Sequence, residues 1–344
     1  MQLVSHYKVW LAALALAFLV SCSPATSTDN PQKLTGNTMG TYYVIKFVAQ
    51  AEVDADADKL QQKIDAELEL INDLMSTYRP NSELMRFNAY QGTEPFALSD
   101  QTRTVVAEAI RIGAQTKGTL DVTVGPLVEL WGFGAQGRIE HAPEQSQIDA
   151  VKAAIGIEKL SLSEQGLSKA DPKIAVDLST IAKGYAVDNV AAILDQAGIH
   201  NYLVEIGGEM RIKGAKIDQP WRIAIEKPES AERAVQRVLE PGDMGIATSG
   251  DYRNYFEQDG IRFSHLINPH TGRPIQNKIV STTVLHPSCM TADAYATALH
   301  IMTNAEQALA FANEHNIAAL IIVKTADGYT ELASEQFKPY ITQQ

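Results

Sequence analysis

Two oxygen-bearing side chains stand four residues apart in the alanine-rich run 291–299. Alanine favours helix, and residues four apart in a helix share a face, so the Asp293 carboxylate and the Thr297 hydroxyl are predicted to lie side by side. These hard oxygen donors suit Mg²⁺, which takes one or two carboxylates together with substrate phosphates. The same residues also fit a helix with Thr291 as its N-cap and Asp293 in its first turn. Local sequence leaves both interpretations open.

Residues 177–184 form a second candidate, a polar turn between a predicted strand and a predicted helix. Such a turn offers free backbone amides and the positive end of a helix dipole, both suited to phosphate, and Lys183 adds a cation. The Walker spacing Gly-x4-Gly-Lys-Ser/Thr is absent. The alternative is that Ser179 caps the helix and Lys183 is solvated.

Two further turns carry groups that can do chemistry. The pair Gly207-Gly208 permits either a plain hairpin or close approach of a ligand, and Glu209 follows it. His265 precedes a rigid turn at residues 268–272, although a lone histidine is usually structural or solvent-facing. Zincin helix motifs, Cys-x-x-Cys pairs and the nucleophile elbow Gly-x-Ser-x-Gly are absent.

The N-terminus reads as an export signal. Residues 1–21 contain Lys8 and then an apolar stretch at 9–20, which is too short to span a bilayer and fits a secretory signal peptide. The stretch ends Leu-Val-Ser before Cys22, as in a bacterial lipobox, so Cys22 is predicted to be lipidated; the alternative is ordinary cleavage beside a chance cysteine. Residues 22–33 are predicted to be a flexible tether and 34–344 one continuous domain.

Composition excludes some function classes. The chain has 29 Lys and Arg against 41 Asp and Glu, a formal charge of −12, which argues against binding nucleic acid. Its two cysteines make a disulfide-stapled fold improbable, because acylation of Cys22 leaves Cys289 without a partner. Cys289 is predicted to be a small buried residue.

Periodicity predicts mixed helix and strand. A strand is predicted at 41–48. A helix is predicted where apolar residues recur at helical spacing from Leu60 to Met75, and another from Ser99 or Asp100 to about Lys117. Further strands are predicted at 174–178, 202–206, 221–225, 244–248, 279–285 and 318–324, and further helices at 181–197, 291–302 and 305–315. Strands outnumber helices without alternating regularly with them, which favours an α+β fold.

Seven short segments of the chain occur in the order typical of one family. They are residues 38–41, 119–127, 177–184, 207–209, 247–250, 265–272 and 291–299. With the lipobox, this series resembles the FAD:protein FMN transferases of the ApbE family, from about residue 34 to the C-terminus. The resemblance implies T-fold-related mixed sheets with packed helices in a single large domain.

The resemblance also implies an activity. Such enzymes cleave the pyrophosphate of FAD with the help of Mg²⁺, attach FMN through a phosphoester to a threonine of a partner protein, and release AMP. The implied partners are subunits of sodium-pumping NADH:quinone reductase or Rnf-type electron-transport complexes, and the implied location is the periplasmic side of the inner membrane. Two alternatives remain open, a magnesium-dependent FAD pyrophosphatase and a non-catalytic flavin-binding lipoprotein.

Site residues follow from the resemblance position by position. The side chains of Asp293 and Thr297 and the backbone carbonyl of Thr180 are expected to bind magnesium. His265 is expected to take part in the transfer, either by hydrogen-bonding the pyrophosphate or by deprotonating the acceptor hydroxyl; Asp293 could also take that proton, but a magnesium-bound carboxylate is a weak base. FAD is expected to contact Met39, Tyr78, Thr119, Leu120, Asp121, Lys183, Glu209, His265 and Ile267.

Overall fold

The computed structural model describes residues 31–49, 56–135, 137, 139, 141–226, 235–250, 255–258 and 261–341. The predicted signal peptide, Cys22 and most of the predicted tether lie outside these ranges. Within them, no helix combines the length and apolar character needed to cross a membrane.

A central sheet of eight strands has the order β1-β2-β5-β6-β11-β16-β17-β18, and each neighbouring pair is antiparallel. Five two-stranded sheets contain the other described strands. In chain order the strands are β1 (Gln32–Thr38), β2 (Thr41–Val48), β3 (Leu160–Ser163), β4 (Gly166–Lys169), β5 (Asn201–Ile206), β6 (Glu209–Lys213), β7 (Ala215–Lys216), β8 (Gln219–Pro220), β9 (Ile223–Glu226), β10 (Val235–Leu239), β11 (Gly245–Gly250), β12 (Tyr255–Gln258), β13 (Ile261–Ser264), β14 (Ile267–Asn268), β15 (Arg273–Pro274), β16 (Ile279–His286), β17 (Ala318–Thr325) and β18 (Gly328–Ala333).

Helices cover one face of the central sheet. Within the described ranges they are α1 (Ala57–Met75), α2 (Glu83–Ala89), α3 (Asp100–Gln115), α4 (Gly125–Leu130), α5 (Gln145–Lys152), α6 (Ala182–Gln196), α7 (Cys289–Ile301) and α8 (Ala305–Glu314), with 3₁₀ turns at Ile157–Lys159 and Lys338–Tyr340. Successive strand residues point to opposite faces. On β5, Val204 therefore joins the main core with α1, α3, α6 and α7, whereas Leu203 joins a second cluster on the other face.

Most predicted elements are confirmed, as is the α+β class. The strand at 41–48 is β2, the apolar face from Leu60 to Met75 is buried along α1, and Ser99 caps α3 by accepting from the amide of Thr102. Cys289 is a buried free thiol. β1 already includes Gln32 and Lys33, the last two residues of the predicted tether.

One predicted strand is wrong, and so is the N-cap in one of the two interpretations of residues 291–299. Residues 174–178 do not form a strand, because their backbone groups bond to side chains and to a loop rather than to a neighbouring strand. Thr291 is not the N-cap of α7; Ser288 is, and its hydroxyl accepts from the amide of Thr291.

Candidate functional site

Helices α6 and α7 touch at their N-terminal ends. A Cβ on Gly184 would lie 2.4 Å from the carbonyl oxygen of Cys289, so only glycine allows the two helices to pack this closely. The amide of Gly184 donates to Oδ2 of Asp293 over 3.0 Å. In a helix that began earlier this amide would bond to the carbonyl of Thr180, four residues before it. Asp293 therefore lies beside the turn that contains Thr180.

The capping is reciprocal, because a carboxylate on α6 also caps α7. Asp188 accepts hydrogen bonds from the Ser288 hydroxyl and from the amides of Cys289 and Met290, at 2.8, 2.9 and 3.1 Å. A carboxylate at a helix N-terminus satisfies otherwise unpaired amides and interacts favourably with the helix dipole. The two helices are thus fixed in register, and with them the position of Asp293.

Three ionisable side chains meet at this point. Nζ of Lys183 lies 3.4 Å from Oε1 of Glu209 and 3.7 Å from Oδ2 of Asp293, and both carboxyl groups are buried. Burial raises the pKa of Glu209 to about 8 and also raises that of Asp293, although Lys183 opposes both shifts. Burial disfavours the charge on Lys183, but the attraction of Asp293 and Glu209 outweighs the effect of burial and holds the pKa of Lys183 above its ordinary value. Lys183 is therefore not simply solvated, and Ser179 does not cap α6, whose N-cap is Ile181.

Two hairpin turns bring further predicted residues to the same end of the sheet. Met39 and Gly40 connect β1 to β2 with φ of 49° and 70°, and Gly207 and Gly208 connect β5 to β6 with φ of 61° and 107°. The amide of Gly207 donates to the carbonyl of Tyr42, so the two turns are neighbours. Glu209 begins β6 directly after the second turn, so the glycine pair forms a hairpin, one of the two possibilities that its sequence leaves open.

A cleft of about 920 Å³ opens beside this end of the sheet. Met39, Tyr78 and Lys183 line it, together with Asp177 and Ser179. Its volume lies in the upper part of the range of about 300–1,000 Å³ that is typical of small-molecule sites. Tyr78 is 70% exposed at the cleft, where a ring face is available to a flat ligand.

The predicted magnesium ligands are compatible with a hard cation. Asp293 and Thr297 lie one turn apart on α7 and are both buried, and the buried Thr180 Oγ1 and Glu209 Oε2 have no hydrogen-bond partner among the described residues. Oxygen donors of this kind are the ligands that Mg²⁺ takes. Among the described residues, no group of three or more His, Cys, Asp or Glu could hold a metal ion. The predicted set is of another composition, with one carboxylate, one hydroxyl and one carbonyl.

The predicted FAD contacts at 119–121 are placed elsewhere. Thr119 lines a cavity of about 630 Å³ and Asp121 one of about 530 Å³, and His270 borders both. Asp121 accepts from the amide and hydroxyl of Thr123 and from the amide of Ile157, so its carboxylate organises the local turn. Burial raises its pKa. The side chain of Leu120 lies in the main core, and its amide donates to the hydroxyl of Thr116.

His265 follows β13 at the edge of an aromatic cluster. Its ring lies 6.4 Å from that of Phe133 in an edge-to-face arrangement, and Ile267 is buried in the adjoining cluster around Trp131. Burial lowers the pKa of the His300 ring to about 4, and His265 contributes to this shift. His300 itself lies near the C-terminal end of α7, seven residues or about 10 Å along the helix from Asp293.

Sequence reasoning missed several residues that shape the site. His300 lies seven residues after Asp293 and three after Thr297, on the same face of α7. Its ring is buried, and Nδ1 lies 3.1 Å from the carbonyl oxygen of Ser249. The spacing argument that found Thr297 would have found His300 too. Asp188 gave no local signal, because its partners are 100 to 102 residues away.

Comparison with known proteins decides the family. The model of the ApbE family matches residues 39–321. A curated protein from Vibrio cholerae named FAD:protein FMN transferase is 55% identical over 336 residues, covering 97% of this chain and 99% of its own length. The chain belongs to the ApbE family.

Other relatives agree across almost the whole length. The FAD:protein FMN transferase of Escherichia coli strain K12 is 41% identical, with 98% of both chains covered. The solved flavin transferase ApbE from Vibrio cholerae superposes with a TM-score of 0.85 at 54% identity, covering 90% of this chain and 99% of that one. The apo flavinyl transferase ApbE of Pseudomonas stutzeri gives 0.84 at 38% identity, covering 92% and 98%. The predicted family, fold and enzyme class are confirmed; the roles of individual site residues stay predictions.

Proposed function

We propose that this chain transfers FMN from FAD to a threonine hydroxyl of a partner protein in a magnesium-dependent reaction that releases AMP. The observation that carries the proposal is the cluster of Lys183, at the wall of the large cleft, with the buried carboxyl groups of Glu209 and Asp293, in a chain of the ApbE family. Lys183 supplies a cation at the cleft wall for a phosphate group. Met39 and Tyr78 supply apolar and aromatic surface for a flavin or adenine ring.

The reaction is a phosphoryl transfer. The acceptor oxygen attacks the phosphorus of the FMN half, the bond from that phosphorus to the bridging oxygen breaks, and AMP leaves with the bonding electrons. When bound by Asp293, Thr297 and the Thr180 carbonyl, Mg²⁺ would neutralise the charge that develops on the transferred phosphoryl group and on AMP. His265 either hydrogen-bonds the pyrophosphate or takes the proton of the acceptor hydroxyl.

The proposed transfer is tested by incubating the protein with FAD, Mg²⁺ and an acceptor subunit. We expect AMP in solution and a mass increase of one FMN on a threonine of the acceptor. FAD alone distinguishes hydrolysis, because free FMN and AMP would then appear without an acceptor. Stable FAD binding with no AMP in either reaction would contradict the proposal and indicate a non-catalytic flavin-binding lipoprotein.

We further propose that the mature protein is anchored through lipidated Cys22 at the periplasmic side of the inner membrane. The support is the lipobox-like run before Cys22 and the acceptor class that the family resemblance implies, subunits of sodium-pumping NADH:quinone reductase or Rnf-type complexes. Mass spectrometry of the N-terminal peptide tests the lipid. Retention of unmodified residues 1–21 in the membrane-bound protein would contradict it.

A further inference from the structure

Lys169 is a buried lysine, 2% exposed, whose ammonium group contacts four backbone carbonyl oxygens. Burial lowers its pKa, and the carbonyl dipoles offset part of the cost of burying the charge. Its Nζ also lies 5.1 Å from the centroid of the Phe87 ring. The four carbonyls belong to Phe87 at 3.2 Å, Asn88 at 3.0 Å, Pro172 at 3.0 Å and Ile174 at 3.1 Å.

These carbonyls belong to two separate parts of the chain. Phe87 and Asn88 lie in the last turn of α2, where the helix dipole favours a cation. Pro172 and Ile174 lie in residues 172–178, which we call the clamped segment. Lys169 therefore ties the end of α2 to the start of the clamped segment.

Asn88 holds the next part of the clamped segment. Its amide nitrogen donates to the carbonyl of Val176 over 2.9 Å, and its amide oxygen accepts from the Val176 amide over 2.8 Å. One side chain thus makes both bonds that a neighbouring strand would make. The amide of Asp177 then donates to the carbonyl of Val122 over 2.7 Å.

The clamped segment leads directly to Thr180. Oδ1 of Asp177 accepts from the amide of Ser179 over 2.8 Å, and the carbonyl of Leu178 accepts from Ala182 at the start of α6 over 2.8 Å. Thr180 is held between these two bonds. Its position therefore depends on the clamped segment on one side and on α6 on the other.

We propose that Lys169 and Asn88 are positioning residues that set the place of the Thr180 carbonyl relative to Asp293. The proposal rests on the proposed function, in which that carbonyl is a metal ligand. A metal site requires its ligands within about 0.5 Å of the productive geometry, and removing the groups that orient ligands typically costs about 10- to 100-fold in affinity.

The test compares Lys169→Met, Asn88→Ala and the wild-type protein. Amide hydrogen exchange of the peptide covering 174–181 reports the clamped segment, and electron paramagnetic resonance of free Mn²⁺ in the presence of FAD reports metal affinity. We expect exchange to accelerate and Mn²⁺ affinity to fall, each by about 10-fold in Lys169→Met. If Lys169→Met does not fold, Asn88→Ala carries the same test.

Lys159→Met is the matched control. Nζ of Lys159 also donates to carbonyls after a helix, those of Ala153 and Ile155 at 2.9 and 2.7 Å, yet it contacts no carbonyl of the clamped segment. We expect it to leave both readouts within about two-fold of wild type. Unchanged exchange and Mn²⁺ affinity in Lys169→Met and Asn88→Ala, or an equal loss in Lys159→Met, would overturn the proposal.

The two readouts separate this proposal from the proposed function. If the wild-type protein binds no Mn²⁺, the metal part of the proposed function fails, and so does the role of Lys169 and Asn88 in metal binding. Accelerated exchange without a loss of Mn²⁺ affinity would overturn the positioning role, because Lys169 and Asn88 would then only stabilise the fold.

Discussion

The two halves of the candidate metal site are built differently. Asp293 and Thr297 lie on a regular, almost fully buried helix that is fixed by a carboxylate from its neighbour. Thr180 follows a segment without regular secondary structure, whose backbone bonds go to the side chains of Lys169 and Asn88. One half depends on local helix geometry and the other on distant side chains, so substitutions should affect the two halves differently.

The largest effect is expected at the helical half, from Asp293→Asn. The amide keeps a hydrogen-bond acceptor for Gly184 but removes the charge that would hold a divalent cation, so FMN transfer should fall by at least about 100-fold. Covalent FMN on the acceptor is the measurement, with thermal unfolding as the check on folding. Transfer at the wild-type rate would remove the metal assignment.

A second change tests how α7 is held. Asp188→Ala removes three hydrogen bonds from the α7 N-terminus and should lower the free energy of unfolding by about 3 kcal/mol. Asn304→Ala is the control, since Asn304 caps the neighbouring α8 with one bond to Gln307 and should cost about 1 kcal/mol. Urea denaturation measures the free energy of unfolding of both variants. Equal losses would show that Asp188 stabilises α7 no more than an ordinary N-cap does.

The pH dependence of stability tests the burial of His300 on α7. The folded pKa of His300 is about 4, below its ordinary value of 6.5, so the unfolded state takes up a proton at a higher pH than the folded state. The stability that neutral His300 contributes is therefore present above pH 6.5 and is lost as the pH falls toward 4, by about 3 kcal/mol. His300→Gln should flatten this slope. A slope in His300→Gln equal to that of wild type would contradict the assignment.

The smallest effect on the fold is expected at the cleft. Tyr78→Ala removes a ring that is 70% exposed, so the free energy of unfolding should change by less than about 0.5 kcal/mol. FAD affinity should fall by about 10-fold if the ring stacks on the ligand. Calorimetric FAD titration measures this, and unchanged affinity would place FAD away from Tyr78.

The same contrast explains what the sequence could predict. The apolar face from Leu60 to Met75 and the spacing of Asp293 and Thr297 are local patterns, so α1 and α7 were predictable. Residues 174–178 alternate like a strand, but what completes their backbone bonds is Asn88, 88 residues earlier, which no local pattern reveals. The cap of α7 is a local feature, since Ser288 accepts from the amide of Thr291 three residues later, but the support that Asp188 gives it comes from another helix and has no local signal.

The most direct test of the two-part metal site is a crystal of the protein with FAD and Mn²⁺, analysed by anomalous scattering. We expect a manganese peak at about 2.0–2.3 Å from the Asp293 carboxylate, the Thr297 hydroxyl and the Thr180 carbonyl together. A peak that contacts the helical residues without Thr180, or one bound elsewhere, would contradict a site assembled from both halves.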